Sequence, residues 1–201
     1  MILAIDPGSE DSAYVVLEDD LEPIKFGKIN NEELRQFVIG TMDTWMETKF
    51  AIEMIASYGM AVGKEVFETV FWLGRFWEAA EQHSDCSRTK VYRKEVKMNL
   101  CHSMKANDSN IIQALADRFA YGIPNKGKGT KKNPGPFFGF AGDIWQAYAV
   151  GVTYHDLYLK KESVKEVSSR NNCRWQHEKP LEFRTICLEC EKGDKWEGVE
   201  G

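Results

Sequence analysis

Two acidic residues in the amino-terminal half of the chain lie in or next to apolar stretches, where a carboxylate destabilises the fold unless it has a partner. Asp6 ends the short apolar run 2–5, and Glu53 interrupts the apolar stretch 50–55. A third acid, Asp143, lies at the start of a largely apolar helical pattern. An unpaired buried carboxylate is strongly destabilising, so such groups are usually paired, protonated or bound to a cation.

These acids could act together if the two strands are neighbours in one sheet, because three carboxylates from distant parts of the chain would then converge. Oxygen-only ligands of this kind suit Mg²⁺ or Mn²⁺. Two such ions about 4 Å apart can activate a water molecule and stabilise the leaving oxygen of a phosphodiester. Each acid also has a simpler interpretation: Asp6 as a turn residue before Pro7, Glu53 as the partner of a basic neighbour, and Asp143 as a helix cap.

Basic residues are concentrated in one segment of a chain whose net charge is −5. Between Arg88 and Lys132 there are 11 Lys or Arg residues and 3 acids. A local positive surface can bind phosphates whatever the total charge, although a solvated basic face is equally compatible with the count. Four of these lysines belong to a Gly/Pro-rich loop that we expect to be flexible and to order on DNA: Lys126, Lys128, Lys131 and Lys132. Tyr58, after the Glu53 strand, could stack on an unpaired base or belong to the core.

The positions of these residues depend on an α/β fold. Periodicity and turn signals give the order β-β-β-α-β-α-β-α-α-loop-α, which predicts a mixed five-stranded sheet with flanking helices. Predicted strands cover residues 2–5, 12–17, 23–29, 50–55 and 91–92; predicted helices start at Asn30 or Asn31 and cover 64–81, 94–101, 109–119 and 144–159. The helix 64–81 shows a broad apolar stripe that predicts core or dimer-interface packing: Val66, Phe67, Val70, Phe71, Trp72, Leu73, Phe76 and Trp77.

Composition shifts at Lys160, so we predict a domain over 1–159 and a polar tail or small module over 160–201. Its Cys173, His177, Cys187 and Cys190 are close to a structural zinc pattern. The spacing fits no standard zinc finger, and an unfolded tail with unrelated cysteines explains it equally well.

The bulk composition is that of a soluble globular protein: 201 residues, 43% hydrophobic and 28% charged. No apolar run approaches a membrane span, and the first residues lack the basic region of a signal peptide. We therefore expect a cytoplasmic protein whose five cysteines are reduced.

Four short motifs together resemble the RuvC-type Holliday junction resolvases of the RNase H-like superfamily. They are ILAIDPGS at 2–9, AIE at 51–53, VK at 96–97 with KANDSNI at 105–111, and DIWQAYAVG at 143–151. The resemblance covers roughly residues 1–159. The stretch 53–76 looks closest to resolvase-like proteins of phages that infect low-GC Gram-positive bacteria, which implies a phage or prophage origin.

The resemblance implies an RNase H-like fold, a homodimer, and Mg²⁺- or Mn²⁺-dependent nicking of branched DNA in recombination and repair. Asp6, Glu53 and Asp143 become ligands of two ions, with Asp6 bridging them. Two departures are visible. The second acid of the family's last helix is Gln146 here, which can coordinate only weakly through its carbonyl, and the family's second basic residue falls at Asp108.

Two lysines take the DNA-contacting role in this interpretation. Lys97 matches the family's basic helix. Lys105 lies one turn before Asp108 and could substitute for the basic residue that the family has at that position. Both are expected to contact the scissile phosphate or the DNA backbone, although plain surface lysines would look the same in sequence.

Three alternatives to a resolvase share features with this sequence. An actin-like ATPase or sugar kinase shares the strand that ends in Asp6, but needs two such domains and a second glycine-rich phosphate loop. A branched-DNA-binding protein that has lost catalysis is suggested by Gln146. An RNA-directed nuclease of the same fold differs by contacts to the 2′-hydroxyl, which the sequence does not locate.

Overall fold

Five strands form a single mixed sheet at the centre of the fold. The computed structural model describes residues 1–44, 47–57, 59, 61–82 and 86–160. The strands are β1 (Ile2–Asp6), β2 (Asp11–Leu17), β3 (Pro23–Asn30), β4 (Lys49–Met54) and β5 (Arg88–Tyr92). Their order across the sheet is β3-β2-β1-β4-β5. β1, β2 and β3 pair antiparallel, whereas β4 lies parallel to both β1 and β5. The predicted mixed five-stranded sheet is confirmed.

Helices flank this sheet. They are α1 (Asn31–Thr44), α2 (Lys64–Glu81), α3 (Arg93–Cys101), α4 (Asp108–Phe119) and α5 (Asp143–Tyr154), and α5 continues as a π-helical turn, His155–Leu159. The start of α4 is fixed by a reciprocal cap, in which the Asn107 side chain accepts from the Asn110 backbone and the Asn110 side chain accepts from the Asn107 backbone. Within the described residues, no helix is long and apolar enough to cross a membrane.

The two faces of β1 pack against different helices, because successive side chains of a strand point to opposite faces. Leu3 and Ile5 belong to a core cluster with Leu34 and Val38 of α1 and with residues of α2. Ala4 lies beneath α5, where a Cβ added to Gly151 would come within 3.1 Å of the Ala4 Cβ. Small residues on both surfaces therefore let α5 approach the sheet closely.

The apolar stripe of α2, predicted to pack in the core or in a dimer interface, is only partly buried within the described chain. Leu73 and Phe76 are in the core, whereas Phe67 and Phe71 are 65% and 63% exposed and Val70 is 41% exposed. Phe67, Val70 and Phe71 lie on one side of the helix at spacings of three and four residues. Gly74 follows on the same side, and nothing occupies the space where its Cβ would be. This surface, the α2 stripe, has no covering element among the described residues.

The loop that precedes α5 is a compact hydrogen-bonded structure, not the flexible segment expected from its composition. Its inner side is anchored by Phe137 and Phe140, which pack on Trp145 and Tyr148 of α5. The backbone of Gly135 donates to Lys128 O at 2.9 Å, and that of Phe137 to Gly127 O at 3.2 Å. These bonds hold the basic loop in a defined conformation.

Residues Met1–Tyr158 form one compact unit. The predicted zinc ligands Cys173, His177, Cys187 and Cys190 lie outside the described residues, as does Tyr58, so these expectations stay predictions. The proposed domain boundary near residue 160 also stays a prediction.

Candidate active site

A row of side chains crosses the sheet at the carboxyl end of β1. The register pairs Ile5 with Ile52, so Asp6 and Glu53, the next residue of each parallel strand, lie side by side. On the other side Asp6 pairs with Ala13, and Ala13 pairs with Lys28. Directly paired residues project from the same face of a sheet. The row Lys28, Ala13, Asp6 and Glu53 therefore faces α5, with only a methyl group between the lysine and the aspartate.

The third predicted acid reaches this row from α5. Asp143 is the first residue of that helix and follows Gly142, whose φ of +38° is in the left-handed region. Lys28 Nζ donates a hydrogen bond to Asp143 Oδ2 at 2.7 Å, and both side chains are about half exposed. Asp143 is exposed, whereas Asp6 and Glu53 are partly buried, so Asp143 is the most accessible of the three acids. The structure thus brings the acids of β1, β4 and α5 to one edge of the sheet.

The electrostatic surroundings of Asp6 and Glu53 are unfavourable to two ionised carboxylates. Burial raises the pKa of the Asp6 carboxyl well above its usual range, and repulsion from Glu53 and Asp143 raises it further. The positive charges of Arg93 and Lys28 oppose this shift without cancelling it. Burial also raises the pKa of Glu53, against the attraction of Arg93. A cation placed between these groups would relieve the repulsion.

Arg93 lies at the opposite end of the site from Lys28. It follows β5 directly, and its side chain is 24% exposed. Its Nη1 donates to Gln146 Oε1 at 2.7 Å and lies 3.6 Å from Glu53 Oε2, while its Nη2 pairs with Asp108. The two departures noted in the sequence, Gln146 and Asp108, therefore contact one guanidinium group.

The turn after Asp6 is fixed by a small polar network. Ser12 Oγ accepts from Gly8 N at 3.0 Å and donates to Asn31 Oδ1 at 2.5 Å, and Asn31 Nδ2 donates to Gly8 O at 3.0 Å. Gly8 has no room for a side chain, because a Cβ would lie 2.2 Å from Asp11 O. Asn31, expected only as a helix cap, is fully buried and ties α1 to this turn. The network holds Asp6 at the mouth of an open cleft.

That cleft has a volume of about 430 Å³ and a mostly polar lining. Its walls are formed by Asp6, Pro7, Gly8, Ser9, Glu10, Asp11, Lys28 and Asp143. A cleft of this size and exposure can admit a phosphodiester to the edge where the carboxylates lie. Within this lining, Asp6 and Asp143 can bind a cation, and Lys28 can bind a phosphate oxygen.

The fit of divalent metal to this edge can be tested on the donor set. Three carboxylates, of which Asp6 is repelled by both Glu53 and Asp143, are chemically suited to Mg²⁺ or Mn²⁺. Within the described parts of the chain, however, no three acidic, histidine or cysteine side chains are already arranged as a metal-binding group. Lys28 engages Asp143, and Arg93 engages Gln146 and Glu53. The donors therefore fit a cation, but two basic side chains now neutralise part of their charge.

The basic segment divides into two classes. Arg118 forms a two-pronged ion pair with Asp156 at 2.5 and 2.9 Å, and Arg88 pairs with Glu81 at 3.1 Å, so these arginines are structural. The six lysines predicted to contact DNA form no ion pair with any described residue: Lys97, Lys105, Lys126, Lys128, Lys131 and Lys132. Lys97 and Lys128 are partly buried, and the other four are exposed. Their role toward DNA stays a prediction.

Two residues of the site were missed in the sequence. Lys28 was not singled out, and Arg93 was counted only as part of the basic segment. Lys28 could have been predicted as a site residue from the pairing of β2 with β3. The shift in that register between Val16 and Leu17 makes the pairing hard to derive from sequence. The signal for Arg93 is its place two residues after the buried Val91, on the face of the sheet that α5 covers.

Comparison with known proteins supports the fold. No protein-family model matches the sequence, and no curated protein matches it either. Similar solved structures include two of RuvC. The first, T. thermophilus RuvC in complex with a Holliday junction substrate, has a TM-score of 0.59 and 13% identity over 80% of this chain and 94% of that chain. The second, a Thermus thermophilus RuvC structure, has a TM-score of 0.57 and 14% identity over 80% of this chain and 96% of that chain. The predicted RNase H-like fold of the RuvC type is therefore confirmed.

Proposed function

We propose that this protein is a structure-selective endodeoxyribonuclease that nicks Holliday junctions or other branched DNA, in recombination and repair. The observation that carries the proposal is the meeting of Asp6, Glu53 and Asp143 at one edge of a RuvC-type sheet. The raised pKa of both Asp6 and Glu53 supports it, because strongly perturbed carboxyls in a cleft are typical of functional sites. The solved neighbour bound to a Holliday junction supports branched DNA as the substrate.

The carboxylates would hold Mg²⁺ or Mn²⁺, which supplies charge to activate water and to stabilise the leaving oxygen of the phosphodiester. Asp6 and Glu53 contribute the buried donors, and Asp143 contributes an accessible one from α5. Lys28 lies beside Asp143 in the open cleft and can bind a non-bridging phosphate oxygen. In-line attack on phosphorus would leave a 5′-phosphate and a 3′-hydroxyl.

Lysines that form no ion pair within the described part of the chain would supply a surface for the DNA arms. Lys126 and Lys128 line a second cavity against Ala141, Gly142 and Trp145, directly before Asp143. Backbone phosphates bound there would lie next to the acidic edge. Lys97 and Lys105, on and after α3, extend the positive surface, and the loop lysines Lys131 and Lys132 complete it.

The protein would act as a homodimer, because a four-way junction has two strands to cut. The α2 stripe supports this proposal. Phe67 and Phe71 are large apolar side chains in solvent, and the open space at Gly74 can receive an aromatic ring from a second, antiparallel copy of the helix. Exposed aromatic clusters of this kind are typical of interaction surfaces.

A second candidate is a protein that binds branched DNA without cutting it. The observation that favours it is the engagement of the acidic edge by Lys28 and Arg93, together with the amide at Gln146. This candidate keeps the fold and the basic surface but needs no metal for binding.

The test is cleavage of labelled four-way junction, fork and linear duplex DNA, with Mg²⁺, Mn²⁺ or a chelator. We expect paired, metal-dependent nicks across the junction in the wild type and a loss of at least about 100-fold in Asp6→Asn. Asp117→Asn, an exposed acid on α4 that pairs with Gln113, is the matched control and should cut normally.

Three results would redirect the proposal. Binding of the junction without nicks in either metal would favour the non-cutting candidate. Full activity in Asp6→Asn would contradict the assignment of the site. A preference for RNA versions of the same substrates would favour the RNA-directed nuclease.

A further inference from the structure

The Arg93 guanidinium is surrounded by oxygen-bearing side chains. Gln146 Oε1 accepts from Nη1 at 2.7 Å, Glu53 Oε2 lies 3.6 Å from Nη1, and Asp108 pairs with Nη2. The amide oxygen of Gln146, an uncharged donor that could have served a metal at this end of the site, is thus committed to the arginine. One oxygen of Glu53 also faces the positive charge.

Arg93 is held in place by the local fold. It is the first residue of α3, preceded by Tyr92 in extended conformation and by Val91, which is fully buried in β5. The Glu95 side chain accepts from Tyr92 N at 2.7 Å and so fixes the start of the helix. A guanidinium does not lose its proton in proteins, so the charge is permanent as well as fixed.

The charge balance favours a single divalent cation. Asp6, Glu53, Asp143 and Asp108 provide four negative charges, which one such ion, Arg93 and Lys28 balance. Two such ions beside the same guanidinium would leave an excess of positive charge in a partly buried site, which is costly. Lys28 does not impose the same limit, because it is half exposed and its ion pair with Asp143 is weak.

We propose that Arg93 is a fixed positive charge that takes the place of a second divalent cation at the Glu53–Gln146 end of the site. The site then binds one ion, through Asp6, Glu53 and Asp143. This inference rests on the proposed function but is separable from it, because it concerns the number of ions and not whether DNA is cut.

The experiment counts Mn²⁺ bound per chain, without DNA, from the electron paramagnetic resonance signal of the free ion. The variants are Gln146→Glu, which adds an acid while Arg93 remains, and the double variant Arg93→Gln/Gln146→Glu, which adds the acid and removes the charge. Arg88→Gln is the matched control, because Arg88 belongs to β5 but pairs with Glu81 away from the site. Circular dichroism confirms that each variant folds.

We expect one ion in the wild type, in Arg88→Gln and in Gln146→Glu, and two ions in the double variant. Two ions in the wild type would overturn the inference while leaving a metal-dependent nuclease intact. Two ions in Gln146→Glu alone would also overturn it, because the missing acid and not the arginine would then limit the number. No bound ion in the wild type would overturn both this inference and the metal-dependent mechanism. One ion in a folded double variant would overturn it as well. If the double variant does not fold, the counts for the wild type and for Gln146→Glu can still overturn the inference.

Discussion

At the scale of single residues, Asp6 is placed where its charge opposes folding. Burial and two neighbouring acids raise its pKa in the folded protein. An acid with a raised pKa favours the folded state only while it is protonated. The resulting destabilisation is complete above the folded pKa and absent below the ordinary aspartate pKa of about 3.9.

Asp6→Asn should therefore stabilise the metal-free protein while it abolishes cleavage. We expect a gain in the free energy of unfolding on the order of 1 kcal/mol at pH 8, the usual size of such gains at functional sites. The gain should shrink as the pH falls through the raised pKa towards 4. Urea denaturation in the presence of a chelator, at a series of pH values, measures it. A variant less stable than the wild type at pH 8 would contradict the electrostatic account.

The acids were predictable as residues because each interrupts an apolar pattern, but their basic partners were not. Lys28 lies on an edge strand rich in polar residues, where nothing in the sequence separates it from Lys25. Lys25 pairs with Val16, which belongs to the core on the face of the sheet opposite α5. Lys28 pairs with Ala13 and lies on the face of Asp6 and Glu53. Only the strand register makes this distinction.

At the scale of elements, the bounds of α2 match the prediction. Its apolar face, however, is wider than the face that the described chain buries. Helical periodicity shows that a face is apolar and does not show whether its partner belongs to the same chain. Phe67, Val70 and Phe71 satisfy the pattern as well as Leu73 does, yet they face solvent. The excess apolar width is the sequence signal that supports the proposed homodimer.

Phe71→Glu should dissociate the homodimer, because it places a charge in the centre of the α2 stripe. We expect the dissociation constant to rise by at least about 100-fold, the effect of losing an interface hot spot. Gln36→Glu, an exposed position on α1, adds the same charge elsewhere and should not change it. Sedimentation equilibrium measures both. A wild type that is monomeric at all concentrations would contradict the dimer proposal.

The basic loop before α5 depends on its glycines, and Gly127 is the most constrained. Its φ is +81°, and a Cβ would lie 2.4 Å from the Ala120 Cβ. Gly122 has a similar φ of +77° but open space around it. Gly122→Ala should cost about 1 kcal/mol of unfolding free energy from backbone strain, and Gly127→Ala about 1–3 kcal/mol more from the clash. Thermal denaturation separates the two; equal losses would contradict the close packing.

At the scale of the whole molecule, an acidic protein carries a local group of lysines that we propose as its DNA-binding surface. The net charge is −5. Six lysines nevertheless form no ion pair with described residues: Lys97, Lys105, Lys126, Lys128, Lys131 and Lys132. Total charge is therefore a poor guide to the partner of this chain. The uneven distribution of charge was visible in the sequence. Only the structure shows that Arg88 and Arg118 form ion pairs with acids of this chain.

Junction binding should weaken steeply with salt. In the Asp6→Asn background, which leaves DNA uncut, Lys126→Gln/Lys128→Gln should reduce the slope of log affinity against log salt by about two. Lys25→Gln is the control, because Lys25 lies over the Phe37 ring on the opposite face of the sheet from Lys28. Fluorescence anisotropy between about 50 and 200 mM KCl gives the slopes. An unchanged slope in the double variant would place the DNA elsewhere.

The row that runs from Lys28 through Ala13 and Asp6 to Glu53 draws its members from four strands. A slip of one residue in any of these pairings would turn that member to the opposite face of the sheet. A cation held by these carboxylates can therefore recognise only the correctly paired sheet, and has no counterpart in the unfolded or misregistered chain. By mass action, such a cation would enrich the correctly assembled protein, so the group that serves the chemistry would also select for faithful folding.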